Sequence, residues 1–311
     1  MNNVKDYVML FLKGMSMGGA DVVPGVSGGT IAFITGIYAE LLNSIKSFDK
    51  IAIQLLLKWK ISELWVHVNG RFLVTLLSGI FLSIISLAKL IHYLLNHHPI
   101  QLWSFFFGLI IISAIVVSRE IKHWKPLVIL SGIGGILIAY FITGATPATT
   151  PDNYVFVFFS GAIAICAMIL PGISGSFILL IMGKYEFIIE AVKDLNLPII
   201  IVFGFGCVVG LLSFTRIVSW LLAKYHDLTV ALLAGFMIGS LNKIWPWKET
   251  LSTRLSSKGE LIPVIQQNLW PREFMTKVGE PLVLQALLYF SIGILLIIAI
   301  EKIAQLSKQK Y

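Results

Sequence analysis

Charge is scarce in this sequence: 13% of its 311 residues are Asp, Glu, Lys or Arg, against 57% hydrophobic. That balance lies outside the range of soluble globular domains and makes the bilayer the solvent for most of the chain. Cysteine is nearly absent. Cys166 and Cys207 both fall inside apolar stretches without ligand-type neighbours, which excludes a disulfide framework or a cysteine metal site and leaves both as packing residues. A removable leader is not expected, because Met1 to Lys13 holds only a short apolar run, broken by Lys13 and Gly14, with no small-residue cleavage pattern. Acidic residues number 16 against 24 Lys and Arg, and the resulting +8 is spread between hydrophobic segments instead of forming a basic stripe. Anionic headgroups, not nucleic acid, suit that distribution.

What the chain has in quantity is long apolar runs. A membrane span needs roughly 20 mainly apolar residues. Phe72 to Leu95, Ile100 to Ser118, Pro126 to Gly144, Pro198 to Leu222, Leu228 to Ile244 and Pro281 to Ile300 therefore predict at least six full spans. Only the polar loop 245–280 is long enough for an extramembrane lobe, and it is too short for an enzymatic domain of its own.

Self-similarity is the most informative feature. Pro24-Gly25-Val26-Ser27-Gly28 matches Pro171-Gly172-Ile173-Ser174-Gly175 at an offset of 147 (171 minus 24), which also pairs Ala20 with Ala167, Gly36 with Gly183 and Tyr38 with Tyr185. Further along, an offset of 127 (206 minus 79) pairs Gly79 with Gly206, Ser86 with Ser213, Lys89 with Arg216, Gly108 with Gly235 and Ser113 with Ser240. Composition alone does not supply a shared P-G-[VI]-S-G-x7-G-x-Y string. The chain thus reads as a first repeat, 1–150, and a second, 151–311. The difference in offset gives the first half 20 extra residues (147 minus 127), and the segment 51–70 reads as an amphipathic interfacial helix.

Pro24 and Pro171 each interrupt an apolar stretch, so a helix must stop and restart there. Arms of about 17 residues on each side are marginal for crossing hydrocarbon. The expected fold is an all-α integral membrane protein with two re-entrant helical hairpins, about 6–48 and 153–194, each followed by three spans. Non-helical backbone at that depth requires burial in protein or access to water. An odd number of crossings per half makes the second repeat inverted relative to the first. The basic loops around Lys46 to Arg71 and Arg119 to Lys125 share one side, which the positive-inside rule makes cytoplasmic.

A helix restarting after a glycine-rich turn aims free N–H groups and a partial positive charge into the gap, which suits an anion. The candidate phosphate-binding residues are Pro24, Gly25, Ser27, Gly28, Gly29 and Thr30 in the first turn, and Pro171, Gly172, Ser174, Gly175 and Ser176 in the second. Small residues that only allow close helix packing are the competing reading. Lys89 and Arg216, charged within apolar spans, are candidate anchors for an anionic headgroup or side chains that snorkel to the nearest interface. Asp21 precedes the first turn and is matched by Met168; it reads equally as a proton-coupling carboxylate or a helix cap. No catalytic residue, metal site or cofactor is indicated.

Around Gly18-Gly19-Ala20-Asp21-Val22-Val23-Pro24-Gly25-Val26-Ser27-Gly28-Gly29-Thr30 and again at Pro171 to Gly175, the chain resembles the bacterial undecaprenyl-phosphate translocases known as PopT. The resemblance covers nearly the whole chain. It implies return of a polyprenyl phosphate carrier across the cytoplasmic membrane for reuse in wall and surface-glycan synthesis. Two other activities compete with this reading. Integral-membrane polyprenyl-pyrophosphate phosphatases carry a similar duplicated loop but place Arg after the Ser, where this chain has Gly28 and Gly175, so the charge stabilisation of phosphoryl transfer is poorly supplied. A secondary transporter of a small soluble anion is the other. The loop also lacks the Lys of a nucleotide-binding P-loop. Homo-oligomerisation is left open.

Overall fold

The computed structural model describes residues 4–23, 26–145, 150–255 and 261–308, so Pro24 and Gly25 lie outside the described residues. The first motif region forms α1 (Val4–Asp21), α2 (Gly28–Ile34) and α3 (Tyr38–Lys46), and the second forms α9 (Tyr154–Ile169), α10 (Gly175–Ile181) and α11 (Tyr185–Lys193). In each case one long arm leads to the turn and two short helices follow it. The break between the short helices explains the G-x-Y part of the repeat. Gly36 (φ 72°) and Gly183 (φ 66°) adopt the left-handed conformation. The next residue folds back, with Ile37 N–H donating to Ala32 O and Lys184 N–H to Leu179 O, at 3.0 and 2.9 Å. This is a Schellman stop, which a residue with a Cβ forms only under strain.

The segment 51–70 does not form one interfacial helix. It divides into α4 (Lys50–Leu57) and α5 (Ile61–His67). Asp49 caps α4 by accepting from Ile51 and Ala52 N–H, and the chain reverses at Trp59 (φ 54°), where Lys60 N–H returns to Leu55 O. Exposed Ile51, Ile53, Leu56, Leu57, Trp59, Trp65 and Val66 keep the amphipathic character expected of an interfacial element.

Among the described residues five helices are long and apolar enough to cross a membrane: α6 (Gly70–His97), α7 (Pro99–Ser118), α8 (Pro126–Gly144), α12 (Leu197–Lys224) and α15 (Val283–Lys308). The expected sixth span, Leu228 to Ile244, is realised as the shorter α13 (His226–Ser240), with residues 241–244 in a turn that leads to Trp245-Pro246. At about 1.5 Å per residue, its 15 residues do not cover the full hydrocarbon thickness. The chain is also not entirely helical. The loop 245–280 contains an antiparallel hairpin of β1 (Lys248–Leu255) and β2 (Leu261–Asn268), with an irregular register near Ser252, and then α14 (Pro271–Lys277). Leu269 and Phe274 pack with Ile100 and Ala286 as a small separate core, and Trp245 and Trp247 tie the lobe down by donating to Leu269 O and Pro281 O.

Packing follows the repeat. Helix α1 lies along α6 as α9 lies along α12, while α13 packs on α8 and α15 on α7. The same glycines make the same approaches: a Cβ on Gly14 or Gly79 would strike the backbone of the other helix, and Gly161 and Gly206 do so at the matching crossing. Without side chains to hold the helices apart, backbones close to dispersion contact, which is what drives helix association in lipid. Cys166 and Cys207 sit at this second crossing, their thiols on Gly210 O and Gly161 O.

Candidate functional site

The two motif turns meet in the interior. Ser27 Oγ donates to Met168 O at 3.0 Å, and Thr30 Oγ1 accepts from Gly172 N–H at 3.0 Å. Ser27 and Thr30 are 1% and 0% exposed, so both bonds are made away from water. Their worth lies mainly in what their loss would leave unpaired, about 1–3 kcal/mol per buried group. A Cβ on Gly29 would lie 2.5 Å from Ile169 O, so the first turn touches the second through bare backbone. Gly172 (φ 87°) turns the second motif against α13, and a Cβ there would lie 2.9 Å from Met237 Cα and from Phe236 O.

The two helix starts differ chemically. At α2, Asp21 Oδ1 accepts from Gly28 N–H at 2.6 Å and Ser27 Oγ from Gly29 N–H at 3.1 Å, so Asp21 acts as a cap. A phosphate approaching this turn has to compete with a carboxylate already on the N–H group. At α10 no side chain caps the first turn; Ser174 Oγ pairs with Ser176 Oγ at 2.9 Å, Ser174 is buried and Ser176 is exposed. Pro171 and Gly175 are buried, Gly175 against Ala164 O. Of the candidate residues, Ser27, Gly28, Gly29, Thr30, Pro171, Gly172, Ser174 and Gly175 therefore cluster at one junction, with Asp21 at its edge.

Lys89 and Arg216 are not part of that cluster by contact. Both are exposed on the outer surfaces of α6 and α12. The Arg216 guanidinium reaches Leu212 O and Phe48 O at 3.3 and 3.4 Å, toward the end of the molecule that carries α3 and α4. Among the described residues no hydrogen bond or ion pair joins either side chain to a turn.

Several polar residues escape sequence reasoning. Lys13 Nζ donates to Thr35 O, the C-cap carbonyl of α2, at 2.8 Å, which suits a cation at a helix C-terminus. Lys184 is 1% exposed and binds Asp152 and Thr150 O, fastening the second hairpin to the preceding loop. A cavity of about 340 Å³ opens between the first hairpin and α12, lined by Phe33, Tyr38, Asn43, Glu120, Ser219 and His226. The buried Tyr38 hydroxyl has no hydrogen-bond partner among the described residues. The only sequence signal for this cavity is the Tyr of the G-x-Y string.

Comparison with known proteins identifies a family for the chain. A family model described as VCA0040-like, undecaprenyl phosphate translocase-like, matches residues 17–262. A Vibrio cholerae serotype O1 protein named polyprenyl-phosphate transporter is 52% identical over 304 residues, covering 96% of this chain and 98% of the relative. A Staphylococcus aureus protein of the same name is 33% identical over 255 residues, covering 76% of this chain and 85% of the relative. No solved structure matches.

Proposed function

This chain belongs to the undecaprenyl phosphate translocase-like family, and we propose that it moves a polyprenyl phosphate between leaflets of the cytoplasmic membrane as a transporter that does not cleave its cargo. The observation that carries this reading is the junction of the duplicated turns, bonded through Ser27 to Met168 and Thr30 to Gly172. Two broken helices meeting between related halves is the geometry in which one half rocks on the other around a shared site. The ligand has one charged head and a long hydrocarbon tail: the head follows the polar junction while the tail stays in lipid. The alternating state opens the junction and frees the Ser27 hydroxyl and the Gly172 N–H group, the two donors that cross it. Purified protein in liposomes is expected to equilibrate a labelled polyprenyl monophosphate between leaflets with no release of inorganic phosphate. Failure to exchange it, or hydrolysis of the diphosphate form, would defeat the proposal.

The inverted arrangement of the halves belongs to the same proposal, and contacts at the two ends of the molecule support it. Asn43 with Ser219, Arg119 with Glu301 and the Lys122–His123 backbone with Asp227 gather at the end holding α3. Thr150 with Met182, Gln101 with Gln285 and the 245–280 lobe gather at the other. The hairpins then enter from opposite faces, and the basic first face is cytoplasmic. Single cysteines at Ser47, which is partly exposed, and Asn196, which is exposed, are expected to label from opposite sides of sealed vesicles. Labelling of both from one side rules out the inversion.

A further inference from the structure

Two lysines stand together on the lobe face, outside the junction. The turn after α13 carries Lys243, whose Nζ lies 4.5 Å from the centroid of the Phe177 ring, and β1 begins with Lys248, whose Nζ lies 4.3 Å from the centroid of the Trp103 ring. The Lys248 ammonium also donates to the Lys243 backbone carbonyl, which places it against the turn that carries Lys243. Both are partly buried. Among the described residues neither forms an ion pair; the adjacent carboxylate, Glu249, is taken by Lys277 of α14 at 3.5 Å.

Three placements give this pair its meaning. Phe177 belongs to α10, directly after the second turn and next to exposed Ser176. The end of α13 that leads to Lys243 is the backbone packed on Gly172. Trp245, Trp247 and Trp270 stack edge to face alongside, at 5.5 and 5.8 Å between centroids, and tryptophans in such a position mark headgroup depth. The repeat does not require the lysines: at the offset of 127, Val116 and Ile121 occupy the matching positions of the first half. Like charges held together under partial burial repel and lose hydration, a cost that a dianionic ligand reverses.

We propose that Lys243 and Lys248 form a capture site on the lobe face for the phosphate monoester head of the lipid, handing it to the second turn beside Ser176. This inference takes its ligand class from the transport reading above. Burial and the Lys243 charge push the Lys248 ammonium down to about 7, and burial lowers Lys243 as well. Lys243 is the charged group facing Lys248; Trp103 and Phe177, from α7 and α10, are neutral. Binding therefore weakens as pH rises through about 7, when Lys248 loses its proton.

The test uses the full chain in detergent or nanodiscs with farnesyl monophosphate as probe, and with farnesol and inorganic phosphate as competitors. Lys243→Gln with Lys248→Gln is expected to weaken binding roughly tenfold or more, while the double Arg variant retains it. Lys243→Gln alone is expected to move the loss of binding to higher pH, because it removes the repelling charge; a purely packing role for these side chains gives no such movement. Wild-type affinity in the folded double Gln variant overturns the proposal. So does the unmodified protein binding equally on both sides of pH 7, a reading that needs no variant to fold. Equal displacement by inorganic phosphate would assign the site to a soluble anion and overturn the lipid assignment. Lysine-dependent binding without leaflet exchange would remove the transport reading and leave the site standing.

Discussion

Replacing Gly172 by valine is expected to destabilise the fold and abolish lipid exchange together. The position has φ 87°, and a Cβ would lie 2.9 Å from Met237 Cα and Phe236 O, which are backbone atoms unable to swing aside. The left-handed conformation costs an L-residue roughly 1–2 kcal/mol, more for a β-branched one. Overpacking adds about 1–3 kcal/mol. Gly134, where a Cβ would meet nothing within 4 Å, is the matched control. The detergent-solubilised Gly172→Val protein is expected to melt roughly 5 °C or more below Gly134→Val. Equal melting temperatures would mean that the turn does not hold the halves in register. Ser27→Ala is a smaller change in volume, yet it removes the donor to Met168 O and the acceptor for Gly29 N–H at once, so its cost is greater than that of an ordinary surface hydroxyl.

The parts of this architecture visible in the sequence are those written in periodic or repeated form. Apolar runs mark the long helices, with Leu228 to Ile244 shortened to α13, and the duplicated turn marks where the two motif regions meet, because a helix break in an apolar stretch leaves few residue choices. Other features lacked such a signal. The reversal at Trp59 puts a bulky residue in the left-handed region without Gly, Pro or Asn to announce it. The β hairpin of the lobe was masked by Pro263, which a two-stranded sheet accommodates because each strand is an edge. Lys243 falls inside the expected span Leu228 to Ile244 and Lys248 in the polar loop 245–280, so the sequence does not bring the two together. Only the packing of that turn over α10 and α7 removes them from water. Lys89 and Arg216 hold matched positions in the repeat, and both are exposed on the surfaces of α6 and α12.

The asymmetry of the two turns leads to the final expectation, which concerns Asp21. Its carboxylate caps α2 through Gly28 N–H, whereas the matching position in the second half, Met168, contributes only its carbonyl, to Ser27 Oγ. A cap and a proton carrier make separable demands on this side chain. Asp21→Asn keeps an oxygen for Gly28 N–H and is expected to preserve the hairpin, while Asp21→Ala strips the acceptor and is expected to destabilise it by about 0.5–2 kcal/mol. A phosphate head bound at the first turn would compete with Asp21 for the Gly28 N–H group. We propose that protonation neutralises the carboxylate, weakens its hold on Gly28 and lets the anion take its place, which would couple lipid movement to a proton at this residue. Liposomes carrying Asp21→Asn are therefore expected to exchange polyprenyl phosphate at a rate that no longer responds to an imposed pH gradient, whereas wild type responds. A gradient response of wild-type size in the Asn variant would leave Asp21 as a cap alone and move the coupling to another group.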